Sequence, residues 1–245
     1  MRRTVLITGA SRGIGRAAAL AFAELGDRVA INHRDSATLA MELRDELAGD
    51  GHIVVPADVA DPDAVRAMVD EVAAAFGHID VLVNNAGVYL PHPIMDVPYA
   101  EWQAQWRTTI ETNLIGAANV TWCAVRHMRA GGRIVNVSSR GAFRGEPDHP
   151  AYGAAKAGLN AMGQSLSAAL GSLGIGVVTI APGYVDTDMA GPYLDASRAA
   201  IRAQSPFDRV ATPAEVAAAI VWLASAAAEW ASGSILDFNG ATYFR

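Results

Sequence analysis

The chain has 245 residues, a net charge of -6 and an apolar fraction of 51%. This length and composition suit one α/β domain with a large buried core, and the mild acidity argues against nucleic-acid binding, which requires neutralised phosphates. The first apolar run, Val5–Ile7, is too short for a signal peptide or a membrane span, and the single cysteine, Cys123, permits no intrachain disulfide. We therefore expect one domain over residues 1–245, in the cytoplasm, with neither a nucleic acid nor a membrane as partner.

Strand-like and helix-like segments alternate along the chain. Short apolar runs predict strands at Thr4–Thr8, Arg28–Ile31, Ile53–Val55, Val81–Val83, Arg133–Val137 and Val177–Ile180. Helical patterns cover Arg16–Leu25, Ser36–Leu47 and Pro62–Ala75, the last with Asp61 as its expected N-cap. The alternation predicts a doubly wound parallel sheet in a three-layer α/β/α, Rossmann-like fold. The long segment Pro182–Pro213 carries no regular pattern, and we expect a substrate lid at about residues 184–212.

A glycine-rich loop follows the first predicted strand. Its sequence over residues 8–15, Thr-Gly-Ala-Ser-Arg-Gly-Ile-Gly, permits a tight turn and lets a pyrophosphate approach backbone amides at the start of a helix. Because this loop stands between the first strand and the first helix, it predicts a dinucleotide site. The loop residues expected to bind the cofactor are Gly9, Ser11, Arg12, Gly13, Ile14 and Gly15.

The end of the second strand distinguishes between the two nicotinamide cofactors. An NAD-binding unit carries an Asp or Glu there for the ribose hydroxyl, whereas this chain has Asn32, His33 and Arg34. Arg12 lies across the same expected pocket, and two guanidiniums favour the 2′-phosphate of NADP(H). The alternative is that both arginines are surface cations and that Asp35 binds the ribose of NAD(H).

Further cofactor contacts are expected where the next strands end. Asp58, followed by Val59, ends the third strand, where a carboxylate can accept from the adenine amine; its alternative role is to hold a turn. Asn84–Gly87 ends the fourth strand at the expected crevice of the sheet, so that Asn85, Ala86 and Gly87 either line the cofactor or form a turn.

A tyrosine and a lysine stand four residues apart behind the fifth strand. Tyr152 and Lys156 share one face of a predicted helix, and Ser139 lies thirteen residues before the tyrosine, beside Ser138. A tyrosine has a reference pKa of about 10, and a neighbouring ammonium is expected to lower it toward the range of acid–base exchange. Lys156 is also the single lysine among the 19 Lys and Arg residues. A Tyr-x-x-x-Lys pair alone is often a plain surface pair, but here a strand-end serine and a nucleotide loop accompany it.

With these features the whole chain resembles a short-chain dehydrogenase/reductase of the compact single-domain kind. The matching elements are Thr8–Gly15, Asp58, Asn84–Gly87, Asn113, Ser139, Tyr152, Lys156, Pro182–Gly183 and Thr187.

The resemblance implies an NAD(P)-dependent oxidoreductase with definite residue roles. Tyr152 exchanges a proton with the substrate oxygen, Lys156 binds the nicotinamide ribose, and Ser139 hydrogen-bonds the reacting oxygen. Asn113 positions a water that links the lysine to solvent. Thr187 binds the nicotinamide carboxamide, in a segment whose expected cofactor contacts also include Pro182, Gly183 and Val185.

Two departures from the family pattern bear on the position of Asn113 and on the contacts between subunits. The chain is about one helical turn longer than many relatives around Trp102–Arg107, before Asn113. Near the C-terminus Asn239 stands where many members have a glycine, which we expect to affect subunit contacts. The family implies a homotetramer or dimer built on the helices of Asn113 and Tyr152. Small residues that would permit close helix contact, or internal packing instead, are Ala157, Gly158, Ala161 and Gly163.

The sequence indicates the substrate less clearly than it indicates the reaction class and the cofactor. The pattern is similar to 3-oxoacyl-[acyl-carrier-protein] reductases, but the helix after Tyr152 ends at residues 169–173 without the cation that would bind an acidic carrier, although Arg126 and Arg129 remain. We therefore favour a small ketone, keto ester, thioester or sugar-like ketone over a carrier-linked one. Residues expected at the mouth are Tyr89, Arg140, Phe143, Arg144, Glu146, His149, Tyr184, Met189 and Tyr193. Of these we expect Glu146 and His149 to face water.

Two other functions remain open. A nucleotide-binding regulatory protein would use the same fold without turnover, but it would not need an activated phenol. A sugar-nucleotide epimerase or dehydratase usually carries a further domain, for which this length leaves no room. The six scattered histidines have no spacing that would bind a metal.

Overall fold

The computed structural model describes residues 2–245, apart from the side chains of residues 192–196. Over these residues one parallel sheet contains β1 (Thr4–Ile7), β2 (Arg28–His33), β3 (Ile53–Pro56), β4 (Val81–Asn84), β5 (Arg133–Val137), β6 (Gly176–Pro182) and β7 (Ile235–Phe238). Their order across the sheet is β3-β2-β1-β4-β5-β6-β7. The predicted doubly wound parallel sheet is confirmed.

Helices cover both faces of the sheet. They are α1 (Gly13–Glu24), α2 (Ala37–Glu46), α3 (Pro62–Phe76), α4 (Tyr99–Ile110), α5 (Ala117–Ala124), α6 (Gly141–Arg144), α7 (Pro150–Leu170), α8 (Gly191–Arg202) and α9 (Pro213–Leu223). A π-helical turn, Glu111–Gly116, joins α4 to α5. As predicted, Asp61 caps α3, because its carboxylate accepts from the amides of Asp63 and Ala64.

Neighbouring residues of one strand enter opposite cores. Ile7 packs with Phe22 of α1 on one face of the sheet, whereas Leu6 packs with Met68 of α3 on the other. All four side chains are buried. This two-sided burial is the reason why the strands read as continuous apolar runs rather than as alternating patterns.

The structure corrects the prediction at three places. The segment Pro182–Pro213 is not irregular throughout, because it contains α8, which begins at Gly191 and has Pro192 in its first turn, two residue types that in sequence indicate a loop. The edge strand β7 was not predicted, since its residues are only partly buried. Helix α1 begins at Gly13 rather than Arg16, because the glycine loop passes directly into helical backbone.

Among the residues described, no helix is both long enough and apolar enough to span a membrane.

Candidate active site

The residues expected to act meet at the carboxyl edge of the sheet. Strand order reverses between β1 and β4, and a cleft of about 520 Å³ opens at this switch point. The predicted residues that line it are Gly9, Ser11, Arg12, Gly13, Ile14, Asn32, His33, Arg34, Asp58, Val59, Asn85, Ala86, Gly87, Ser139, Tyr152, Lys156, Pro182, Gly183, Val185 and Thr187. Gly15 and Asn113 do not line the cleft.

The glycine loop is packed so closely that side chains are excluded. A Cβ at Gly15 would lie 2.5 Å from the carbonyl oxygen of Gly9, and a Cβ at Gly9 would lie 2.9 Å from Cα of Ala86. Asn85 fixes this approach, because its Nδ2 donates to the carbonyls of Thr8 and Gly9 at 2.9 and 3.0 Å. The Asn85 amide therefore holds the loop, while the open side of the loop faces the cleft.

Asn32 also supports the loop from behind. Its Oδ1 accepts from the amide of Gly9 at 3.2 Å, and its Nδ2 donates to the carbonyls of Val55 and Ala57, each at 3.2 Å. With the side chain buried and both polar ends bound, Asn32 joins β2, β3 and the glycine loop. Asn32 therefore positions the backbone of the glycine loop.

Two arginines and two aspartates stand at the rim of the cleft beyond β2. Arg12 is exposed at the start of α1, and Arg34 donates through Nε to Asp35 at 2.6 Å. The Nη1 of Arg34 lies 3.9 Å from the Asp58 carboxylate. His33 is buried, and its Nδ1 has no hydrogen-bond partner among the described residues. Asp35, the alternative ribose ligand, is thus already paired with a guanidinium.

Asp58 and Asn113 both bind backbone groups. Asp58 accepts from the amide of Ala60 at 2.9 Å, which matches the turn role left open for it. Asn113 lies in the π-helical turn, where its Oδ1 accepts from the Val88 amide at 2.8 Å and its Nδ2 donates to the Val88 carbonyl at 2.9 Å. Such turns absorb an extra residue within a helix and recur at functional sites.

The serine, tyrosine and lysine converge at the inner end of the cleft. Ser139 hydrogen-bonds the Tyr152 hydroxyl. Lys156 is buried, with Nζ donating to the Val137 carbonyl at 2.8 Å and lying 5.7 Å from the centroid of the Tyr152 ring. Ser138 instead donates to the backbone carbonyl of Lys156 at 3.2 Å. Of the two serines, Ser139 is the one beside the phenol.

Burial sets the proton affinities of the tyrosine and the lysine. It raises the pKa of Tyr152 to about 12, although the hydrogen bond with Ser139 opposes the change. It lowers the pKa of Lys156 to about 8. Loss of hydration is thus the largest influence on the Tyr152 phenol, and a lowering of its pKa by the Lys156 ammonium stays a prediction. The phenol is protonated throughout the neutral range.

An aromatic stack that the sequence did not indicate forms one wall of the site. The Tyr89 ring stacks on His149 with centroids 3.6 Å apart and meets the Tyr152 ring edge-on at 4.7 Å. The Tyr89 hydroxyl donates to Glu146 at 3.2 Å. The expectation that His149 faces water is wrong, since it is buried, and burial lowers its pKa to about 4. Glu146 lines the cleft.

The remaining mouth residues separate by position. Tyr184 and Met189 line the cleft, whereas Arg144 is exposed and donates to Gln204. Phe143 packs under the Arg245 guanidinium. Tyr193 lies outside the described side chains.

Comparison with known proteins agrees with this geometry. A family model described as enoyl-(acyl carrier protein) reductase matches residues 9–240. A 3-oxoacyl-[acyl-carrier-protein] reductase of Staphylococcus aureus is 36% identical over 99% of both chains. The cis-4-hydroxycyclohexanecarboxylate dehydrogenase of Sinomonas cyclohexanicum is 41% identical over 97% of this chain and 95% of the other.

A solved structure extends the agreement to the whole backbone. The short-chain dehydrogenase from Burkholderia cenocepacia in complex with NADP superposes with a TM-score of 0.88, is 34% identical, and is covered over 97% of its length by 98% of this chain. The chain belongs to the short-chain dehydrogenase/reductase family of NAD(P)-dependent oxidoreductases.

Proposed function

We propose that this protein reduces a ketone, or catalyses the reverse oxidation of an alcohol, with NADP(H) as cofactor. The observation that carries the proposal is the Ser139–Tyr152–Lys156 group, with its buried lysine, at the inner end of a cleft whose outer end is a glycine loop. A proton donor and a dinucleotide cradle share one cavity.

The described residues fit the cofactor. The glycine loop leaves backbone at the cleft surface where a Cβ would clash, the geometry that a pyrophosphate needs. Arg12 and Arg34 stand where a 2′-phosphate would bind, and the unpartnered Nδ1 of buried His33 is a further polar atom there. NADP in the Burkholderia relative supports the same choice. When bound, the nicotinamide supplies a hydride to the carbonyl carbon.

Ser139, Tyr152 and Lys156 then each have one role in the reaction. Tyr152 donates its phenolic proton to the carbonyl oxygen, and a pKa of about 12 keeps that proton in place until negative charge develops on the oxygen. Ser139 donates a hydrogen bond to the same oxygen, and Lys156 binds the ribose hydroxyls. Asn113 lies on the lysine side of Gly87, where it positions a water for proton return. Solvent replaces the proton, and the product is the alcohol.

The segment 184–212 acts as a lid within the single domain. A Cβ on Gly13 would lie 3.3 Å from the Thr187 methyl, so this segment reaches the phosphate loop. Residues Val185 and Ala211 form an isolated bridge that ties its two ends together. Such closure excludes water from hydride transfer. Thr187 is also placed to bind the carboxamide.

The protein assembles as a homotetramer or dimer through the helices of Asn113 and Tyr152. Gly158 and Gly163 serve internal packing, since a Cβ on either would lie 2.8 Å from Leu114 or Thr179. Ala157 and Ala161 are exposed on α7 and leave a smooth face for a second copy. Light scattering measures the oligomeric state. A cytoplasmic location stays a prediction that rests on the single cysteine.

The test is NADPH oxidation at 340 nm with a panel of ketones, β-keto esters and β-keto thioesters, the last with and without carrier protein. Turnover with NADPH and a kcat/KM at least about tenfold lower with NADH are expected. NADPH binding without turnover on the whole panel would instead favour a regulatory protein. Turnover confined to the carrier-linked thioester would identify a 3-oxoacyl-[acyl-carrier-protein] reductase, as in the Staphylococcus relative.

A further inference from the structure

Arg140 is a buried cation in the substrate end of the cleft. It directly follows Ser139, lines the same cleft as Tyr152, and is only 4% exposed. Its backbone amide donates to the Pro182 carbonyl at 2.9 Å, which ties the residue to the end of β6. None of the roles given so far to the site uses this guanidinium.

The guanidinium hydrogen-bonds the Tyr184 hydroxyl, but one of its nitrogens has no partner. Its carbon stands 4.9 Å from the centroid of the Tyr184 ring, and its Nη1 is buried without a hydrogen-bond partner. No carboxylate with a described side chain forms an ion pair with it. Glu146 lies in the same cleft but accepts from the Tyr89 hydroxyl. Burial, and then the positive charge of Arg144, lower the pKa of Arg140.

A buried cation without an anionic partner costs free energy that a bound anion would recover. Arginine is also the side chain that fits a carboxylate through two parallel hydrogen bonds. We propose that Arg140 binds a carboxylate of the substrate, so that the ketone reduced at this site is a keto acid. The inference rests on the proposed function, because it names the substrate class of the same site.

The charge balance favours a carboxylate over a phosphate. Arg140 supplies one buried positive charge with a free nitrogen, whereas Arg144 is exposed and donates to Gln204. The Glu146 carboxylate in the same cleft would repel a dianion more strongly than a monoanion. A single guanidinium with one unpartnered nitrogen therefore suits a monoanion better than a dianion.

The experiment compares acids with their neutral esters. A series of keto acids, with one to four carbons between the ketone and the carboxylate, and the matching methyl esters are assayed with the wild type and with Arg140→Met. The wild type is expected to prefer at least one acid over its ester, and Arg140→Met to lower kcat/KM for that acid by about thirtyfold or more while changing the ester by less than about threefold. Arg144→Met removes an equal charge outside the cleft and is the matched control.

Three outcomes would overturn the proposal. In the first, the wild type prefers no acid over its ester. In the second, Arg140→Met lowers kcat/KM for acid and ester equally, as a purely structural role of Arg140 predicts. In the third, Arg144→Met lowers kcat/KM for the acid as much as Arg140→Met does, as a general electrostatic attraction without direct contact predicts.

A binding measurement separates this inference from the proposed function. The hydroxy acids and their methyl esters are titrated against the NADP⁺-loaded protein and followed by thermal shift. Stabilisation by an acid but not by its ester, lost in Arg140→Met, supports Arg140 even if no ketone turns over. Turnover of neutral ketones without acid-selective binding would retain the proposed function and reject the keto acid.

Discussion

The two ends of the cleft are built in opposite ways. At the nucleotide end, the side chains of Asn32 and Asn85 are bound to backbone, so the glycine loop is held before any ligand arrives. At the chemical end, burial has moved the pKa values of Tyr152 and Lys156 away from their usual range, and Arg140 keeps an unpartnered nitrogen. The glycine loop is thus held by amide side chains whose hydrogen bonds are made, whereas the groups at the chemical end have shifted pKa values or an unpartnered nitrogen.

The largest effect is expected when the reactive hydroxyl of the chemical end is removed. Tyr152→Phe is expected to lower kcat by about a thousandfold, since the variant lacks the phenol that donates the proton to the substrate oxygen. NADPH affinity should stay near that of the wild type, because the nucleotide end is untouched. Stopped-flow turnover and fluorescence titration measure the two. Tyr99→Phe, at a tyrosine 74% exposed, is the control, and turnover retained by Tyr152→Phe would refute the mechanism.

The pH dependence tests whether burial governs the tyrosine. The phenol form is present below its pKa of about 12, and the phenolate needed for alcohol oxidation grows about tenfold per pH unit below that value. Oxidation with NADP⁺ should therefore rise about a hundredfold from about pH 6 to about pH 8, while ketone reduction stays flat. An oxidation rate that levels off below about pH 8 would mean that the bound cofactor overrides burial.

A substitution in the loop tests the rigidity of the nucleotide end. Gly15→Ala places a Cβ 2.5 Å from the Gly9 carbonyl and 2.6 Å from the Asn85 amide, so the loop must shift. NADPH affinity is expected to fall by about tenfold or more, and Tm to drop. Gly171→Ala is the matched control, because a Cβ there meets nothing within 4 Å. Unchanged affinity in Gly15→Ala would show that the loop is adaptable.

Cofactor choice sharpens the comparison at the rim. Arg34→Met is expected to lower kcat/KM with NADPH by about tenfold and to leave NADH unchanged, because the guanidinium would contact only the 2′-phosphate. Arg44, paired with Asp45 as Arg34 is paired with Asp35, provides the control variant Arg44→Met. Equal losses with both cofactors would assign Arg34 a structural role.

The smallest effect is on stability and has a definite sign. The pKa of Lys156 is about 8 in the folded chain, below its usual 10.5. Between these values the unfolded state binds more protons, so stability rises with pH through this window and the ammonium is destabilising below it. Lys156→Met should raise Tm at neutral pH by about 2–6 °C while abolishing turnover.

Calorimetry of the wild type and Lys156→Met across pH measures this difference. The gain should shrink from about pH 8 upward and vanish near the pKa of a free lysine. A gain that does not depend on pH would trace to packing rather than to charge.

Much of the fold could be predicted because its strands and helices leave patterns among neighbouring residues. Parallel strands buried on both faces leave apolar runs, and Asp61 is an N-cap residue that marks the start of α3. The edge strand β7 was not predicted because its residues are only partly buried, and helix α8 was not predicted because a glycine and a proline at its start indicate a loop.

The candidate site divides in the same manner. The sequence by itself determined the order of the glycine loop, Ser139, Tyr152 and Lys156, because backbone turns and helical spacing are properties of neighbouring residues. Only the tertiary structure decided that Asn32 and Asn85 hold the loop, that His149 stacks on Tyr89, and that Arg140 is buried without an anion. Burial and pairing join residues far apart in the chain, and the desolvation that shifts a pKa depends on everything packed around the group.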